Sequence, residues 1–190
     1  MTNMAYEVAM SVRQAQVFSL GVRGQQGSSN FDNRYGVFFD IDEERNKNFI
    51  FFIDTGKDGE PEAANSVCSG KRDPDDQNGP DCFACENTGE CLEKFTLTRD
   101  ITLDKLCLSN SNEPVDIDGN CATDDPGGVT QATITFERPN PDAIIQDPEN
   151  IEPNPYATAA IILTTKYGDQ RAIVVKNTGQ ISVDRLNDKP

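Results

Sequence analysis

The chain has 190 residues, 32 of them acidic and 17 basic, for a formal net charge of −15. Such a balance argues against a nucleic-acid backbone or an anionic lipid surface as partner, because both need clustered Lys and Arg. There is no histidine and no tryptophan, which excludes His-dependent nucleophilic triads and His-containing zinc sites.

The length fits one domain with its own core. Residues 1–24 are predicted to form a helix. Met4, Val8, Val12, Ala15, Phe18 and Val22 recur at spacings of three and four, which places them on one face. No Gly or Pro interrupts residues 5–16, and Gly21 and Gly24 supply the stop. No second helix of comparable quality follows. Residues 25–34 are polar and Gly/Ser/Asn-rich, hence a loop.

Tyr35–Ile41 and Asn48–Asp54 read as two strands joined by the charged connection Asp42–Lys47. Both carry apolar residues on both pleat faces. The hairpin is therefore expected to be covered on both sides, with the helix over one of them. The pairs Phe38-Phe39 and Phe51-Phe52 read as core packing rather than ligand-stacking platforms. Thr55–Glu90 is a long polar excursion without periodicity. Cys91–Thr98 alternates like a strand, and a short strand beginning at Ile101–Leu103 ends near Cys107. A second polar excursion covers Ser109–Gly128. Residues 129–183 read as a C-terminal β-meander. Val129–Phe136 opens it and Arg138–Ala143 breaks it. Ala159–Thr165, Arg171–Lys176 and Gln180–Val183 complete it, turning at Tyr167–Asp169 and Asn177–Gly179. The polar tail Asp184–Pro190 is expected to fray. The fold class is α+β: an N-terminal helix packed on antiparallel sheet, with Cys-rich loops over residues 55–128.

All six cysteines, Cys68, Cys82, Cys85, Cys91, Cys107 and Cys121, lie in that loop-rich middle. No apolar pattern there builds a core, so the segment needs covalent staples. Disulfides and an extracytoplasmic location follow. Zinc is the competing reading, but it wants two CxxC pairs and only Cys82-Phe83-Ala84-Cys85 is present. Cys91–Cys107 is the favoured disulfide, because the two bracket what reads as a hairpin; the other four cysteines allow three connectivities.

Acidic clusters raise calcium as a non-obligatory ligand. Residues 54–60 resemble half an EF-hand loop, yet the third position is Gly56 and the twelfth is Asn65. Asp73-Pro74-Asp75-Asp76 is a second cluster. Asp116, Asp118, Asn120 and Asp124 form the better candidate set, with plain Asp-Gly turn chemistry as the stronger reading. No constellation of catalytic residues emerges, so the chain reads as non-enzymatic.

A leading helix, a Phe-rich hairpin, a variable middle and closing strands together resemble the type IV pilin-like proteins. The nearest likeness is the minor pilin and pseudopilin group related to the H subunit of type II secretion. The resemblance rests on Tyr6–Val17, Arg34–Asp40, Ile134–Ala143 and Arg171–Ile181, about half the chain at its two ends. It implies a structural subunit of a pilus-like or secretion filament, with other such subunits as partners and a cell-surface location. No stretch is apolar for long enough to span a bilayer. The resemblance therefore implies a head domain without the hydrophobic helix half that anchors relatives in the membrane and forms the filament core. Met10, Val17 and Leu20, off the main apolar face, are then candidate contacts to neighbouring subunits; burial under the domain's own loops is the competing reading. Some relatives bind DNA through basic C-terminal residues. The matching Gly168–Arg171 and Asp184-Arg185 are charge-balanced here, which argues against nucleic acid. The reading from another class is an extracellular surface-binding or adhesin module, calcium-dependent, whose Cys-rich loops do the recognition.

Overall fold

The computed structural model describes residues 1–21, 33–43, 45–57, 59, 61, 90–98, 100–116, 118–122, 126–150 and 155–186. Helix α1 spans Thr2–Leu20 and stops at Gly21, whose N–H still bonds the Val17 carbonyl while its own backbone turns extended. The predicted helix thus ends four residues early, because Gly21 itself leaves the helical conformation. Of the predicted face, Val8, Val12 and Ala15 are fully buried, and Met4 and Phe18 pack against the core from its edge. Val22 lies outside the described residues. Ala5 and Ala9 widen the buried stripe; their small side chains let the helix backbone sit close to the sheets.

Among the described residues ten strands follow: β1 Arg34–Asp40, β2 Asn48–Asp54, β3 Cys91–Thr96, β4 Ile101–Ser109, β5 Pro126–Val129, β6 Gln131–Phe136, β7 Ala143–Gln146, β8 Thr158–Thr165, β9 Gln170–Lys176 and β10 Ile181–Arg185. They form two five-stranded antiparallel sheets. The first runs β3-β2-β1-β6-β7 and the second β10-β9-β8-β4-β5. The helix touches β1 and β6 of the first sheet and β9 and β10 of the second. One continuous core results: Val37, Phe39, Phe49 and Phe51 of the first sheet and Ile161, Leu163, Ile173 and Val175 of the second meet the helix's Val8 and Val12. The chain is α+β, dominated by its sheets.

The hairpin β1–β2 pairs antiparallel, with Tyr35 opposite Ile53 and Val37 opposite Phe51. Both strands are buried over six of their seven residues, as their two-sided apolar pattern requires. Phe38, Ile50 and Phe52 form a separate apolar cluster joined by Cys91. The alternation of side chains puts it on the sheet face away from the main core. In the same way Cys107, Ala160, Ile162, Ala172, Val174 and Leu186 cluster on the far face of the second sheet, joined by Val115 and Cys121.

Three sequence-based expectations fail here. Strands β3 and β4 do not form a hairpin, because the chain leaves the first sheet after Leu97 and enters the second at Ile101. β4 is also longer than expected, at nine residues, since it pairs along its whole length with β8. Residues 129–183 are not one meander: β6 and β7 belong to the first sheet, while β8, β9 and β10 form the expected up-and-down set in the second.

Candidate functional site

The helix has a second face. Opposite its buried stripe, Tyr6, Met10, Val17 and Leu20 point outward with 55%, 64%, 56% and 44% of their surface exposed. These residues are spaced by four, seven and three positions, so one or two turns of helix bring each back to the side of the last. Tyr6, Met10 and Val17 line an open apolar groove together with Phe18 and Phe95. Phe95 of β3 stacks on Phe49 at 4.9 Å between ring centroids. Phe18 meets Tyr35 and Phe51 edge-on at 5.8 and 5.5 Å. Both aromatics are thus held by core partners while contributing a side to the groove. Among the described residues its ionic lining is one acid and one base, Glu7 and Arg13.

The helix is fixed in this orientation from below. Gln16, buried, donates through Nε2 to the carbonyls of Pro141 at 3.0 Å and Gly179 at 3.2 Å. These acceptors lie on the β6–β7 and β9–β10 connections, one from each sheet. Two carbonyls held by one side chain set the helix's rotation about its axis, and with it the direction of the outward stripe.

The structure places the other sequence-derived sites as follows. Met10, Val17 and Leu20 are outward rather than under the domain's own loops, and Tyr6, which the sequence reading left out, joins them. Its signal was the four-residue spacing to Met10. Asp116 does not present a free carboxylate to a cation. Its Oδ1 accepts the Asn120 backbone N–H at 2.8 Å and its Oδ2 the Asn120 side-chain amide at 3.0 Å. These bonds hold its pKa below the ordinary carboxylate value. Gly119, at φ +77°, closes this turn. Asp118 is exposed, and Asp124 lies outside the described residues. Among the described residues no group of three metal-ligating side chains comes together.

Cys107 is bonded to Cys121, with Cα atoms 5.2 Å apart. The expected Cys91–Cys107 pair therefore does not form, because the two strands belong to different sheets. Cys91 is disulfide-bonded as well, to a partner outside the described residues, where Cys68, Cys82 and Cys85 also lie. The acidic stretches at residues 73–76 fall outside them too.

A charged network escaped the sequence reading. At one end of the first sheet Arg34 donates through Nε to Glu137 at 2.8 Å and through a terminal nitrogen to the Lys57 carbonyl at 3.0 Å. Lys57 bonds the other oxygen of Glu137. Nearby, the buried Glu90 accepts from the Thr55 backbone N–H at 2.7 Å and from the Thr55 hydroxyl. The network ties both ends of the 55–90 excursion to the sheet. Its residues are up to 103 positions apart, so no local pattern announces it.

No protein-family model, curated protein or solved structure matches the chain.

Proposed function

We propose that the chain is the head of a structural subunit in a pilus-like or secretion filament, outside the cytoplasm, and that the outward stripe of α1 is its assembly surface. The observation that carries this is the two-sidedness of α1. One stripe is sealed into the head, while Tyr6, Met10, Val17 and Leu20 face solvent on a rigidly held helix. A helix needed only to cover a sheet gains nothing from an apolar outer face, and contiguous exposed apolar surface is the mark of an interaction site. The three described cysteines, Cys91, Cys107 and Cys121, are all disulfide-bonded, which supports an oxidising compartment. A scaffold with no histidine and a surface rich in acids supports a structural rather than a catalytic role.

In this reading the helix continues upstream into an apolar half that packs along the filament axis, and the head stands outside. Translation of the gene upstream of Met1 tests it. An apolar segment of about twenty residues behind a short basic leader and a prepilin cleavage site is the expected result. A hydrophilic domain joined directly to Thr2 would sink the filament reading.

A further inference from the structure

We infer that β10 is an interaction edge, and that two copies of this chain pair through it, antiparallel about a two-fold axis at Val183. β10 ends the second sheet. At one end of its ladder with β9 the Lys176 N–H bonds the Gln180 carbonyl at 2.9 Å. At the other the Leu186 N–H bonds the Gln170 carbonyl at 3.4 Å. Antiparallel pairs alternate between hydrogen-bonded and non-bonded ones. Ser182 and Asp184 therefore exchange their bonds with Val174 and Ala172, which stand opposite them. The N–H and C=O of Ile181 and Val183 point the other way, and no described residue bonds to them.

The other sheet ends are guarded against pairing. The β2–β3 ladder carries a register shift, and β3 exposes Glu93 and Lys94. β5 and β7 are four residues long. Bulges, charges and shortness are the devices that keep an edge from pairing. β10 runs five residues in unbroken register with β9, without proline or lysine.

What fits this edge is the same edge. A two-fold axis normal to the sheet opposes only residues that already share a face. Centred on Val183, it sets Val183 against Val183, Ile181 against Arg185 and Ser182 against Asp184 of the second copy. The whole strand overlaps, and no like charges meet. Val183 and Ile181, whose peptide groups point outward, fall in hydrogen-bonded pairs. Ser182 donates to Asp184 of its own strand at 3.3 Å, and the second copy's Ser182 stands opposite that same carboxylate. A centre on Asp184 would oppose two carboxylates, which repel. A centre on Ser182 would set Arg185 against Gly179, inside the turn.

The inference does not depend on the filament reading, which places assembly on α1. Sedimentation over a range of protein concentrations, with amide hydrogen exchange, tests it. A dimer that grows with concentration is expected. The Val183 amide should gain protection as the dimer forms, while the Ser182 amide is protected throughout. Val183→Pro should abolish the dimer and keep the fold, because that N–H points away from β9; thermal melting reads the fold. Ser182→Asp and Ser182→Lys leave the backbone intact and decide the matter by themselves if the proline variant does not fold. Opposite Asp184, aspartate should weaken the dimer and lysine strengthen it, roughly fivefold each. A chain still monomeric at about 1 mM leaves the edge to solvent or to a foreign strand, and overturns the proposal. Association that persists in a folded Val183→Pro variant, or that Ser182→Asp and Ser182→Lys change alike, places the contact elsewhere and overturns it too.

Discussion

Cys107 is bonded to Cys121, and the bond clips the loop after β4 onto the outer face of the second sheet. Val115 and Cys121 pack there on Ala160, Ile162, Ala172 and Val174. Cys91 joins the matching outer cluster of the first sheet, with Phe38, Ile50 and Phe52. Each sheet thus has its inner face on the common core and a disulfide cysteine at its outer one. The described part of the polar stretch after β4 is pinned this way without an apolar core of its own.

Replacing Cys107 and Cys121 together by alanine should destabilise the head by about 3 kcal/mol, the loop-closure value for a crosslink of about fifteen residues. Denaturant unfolding under non-reducing conditions reads the change. The main core does not pass through this loop, so the variant should still fold. A loss near zero would show that strand pairing alone holds the loop.

Gly179 should tolerate no side chain. It sits at φ +79°, and a Cβ there would stand 2.4 Å from both the Gln16 amide nitrogen and the Pro141 carbonyl oxygen. Gly179→Ala should therefore combine backbone strain with loss of a buried hydrogen bond, about 3 kcal/mol in all. Gly168→Ala provides the control, because it has similar strain but open space. It should cost about 1 kcal/mol. Equal losses would mean that Gln16 does not lock the helix.

Stability should fall in acid through Glu137. The hydrogen bond from Lys57, with the single hydrogen bond and the charge of Arg34, outweighs desolvation and holds its pKa below the ordinary glutamate value. A carboxyl with a depressed folded pKa contributes stability above its unfolded pKa. That contribution is lost as pH falls through the folded one. Glu137→Gln should accordingly lower stability at neutral pH and flatten the acid limb of the stability–pH curve. An unchanged limb would show that the network carries no net energy.

Asp147 should act in the opposite sense. Burial is the largest influence on it and raises its pKa, against the bond it accepts from the Glu149 backbone. A carboxyl with a raised folded pKa costs stability once ionised, and the cost appears as pH rises through that range. Asp147→Asn keeps an acceptor and removes the charge. Its gain over wild type should be present at neutral pH and vanish in acid. Chemical denaturation at two pH values checks this.

The helix and the β1–β2 hairpin were legible because each buries a periodic set of residues set by local spacing. The meander β8–β9–β10 was legible because Gly168 and Gly179 mark its turns. What failed was non-local. The division of strands between two sheets depends on β4 choosing β8, where Ser109 stands opposite Thr158 and Ile101 opposite Thr165, and no local spacing encodes so distant a choice. The disulfide expectation fell with it. β7 was passed over because Ala143–Gln146 is only four residues long, between Pro141 and Pro148, although its apolar run was visible. Met10, Val17 and Leu20 could be read as lying off the buried stripe, but their exposure turns on where the loops go. The Arg34–Lys57–Glu137 network and the outward edge of β10 exist only once the strands are paired.

The outward stripe of α1 is tested most directly by Met10→Asp combined with Val17→Asp in the full-length protein, in cells that produce it from its own gene. The isolated head should fold with wild-type stability, since both side chains face solvent. The full-length variant should be made and oxidised normally, yet be missing from filaments sheared from the surface. Recovery of the variant in those filaments at the wild-type level would contradict the assignment of this face to assembly.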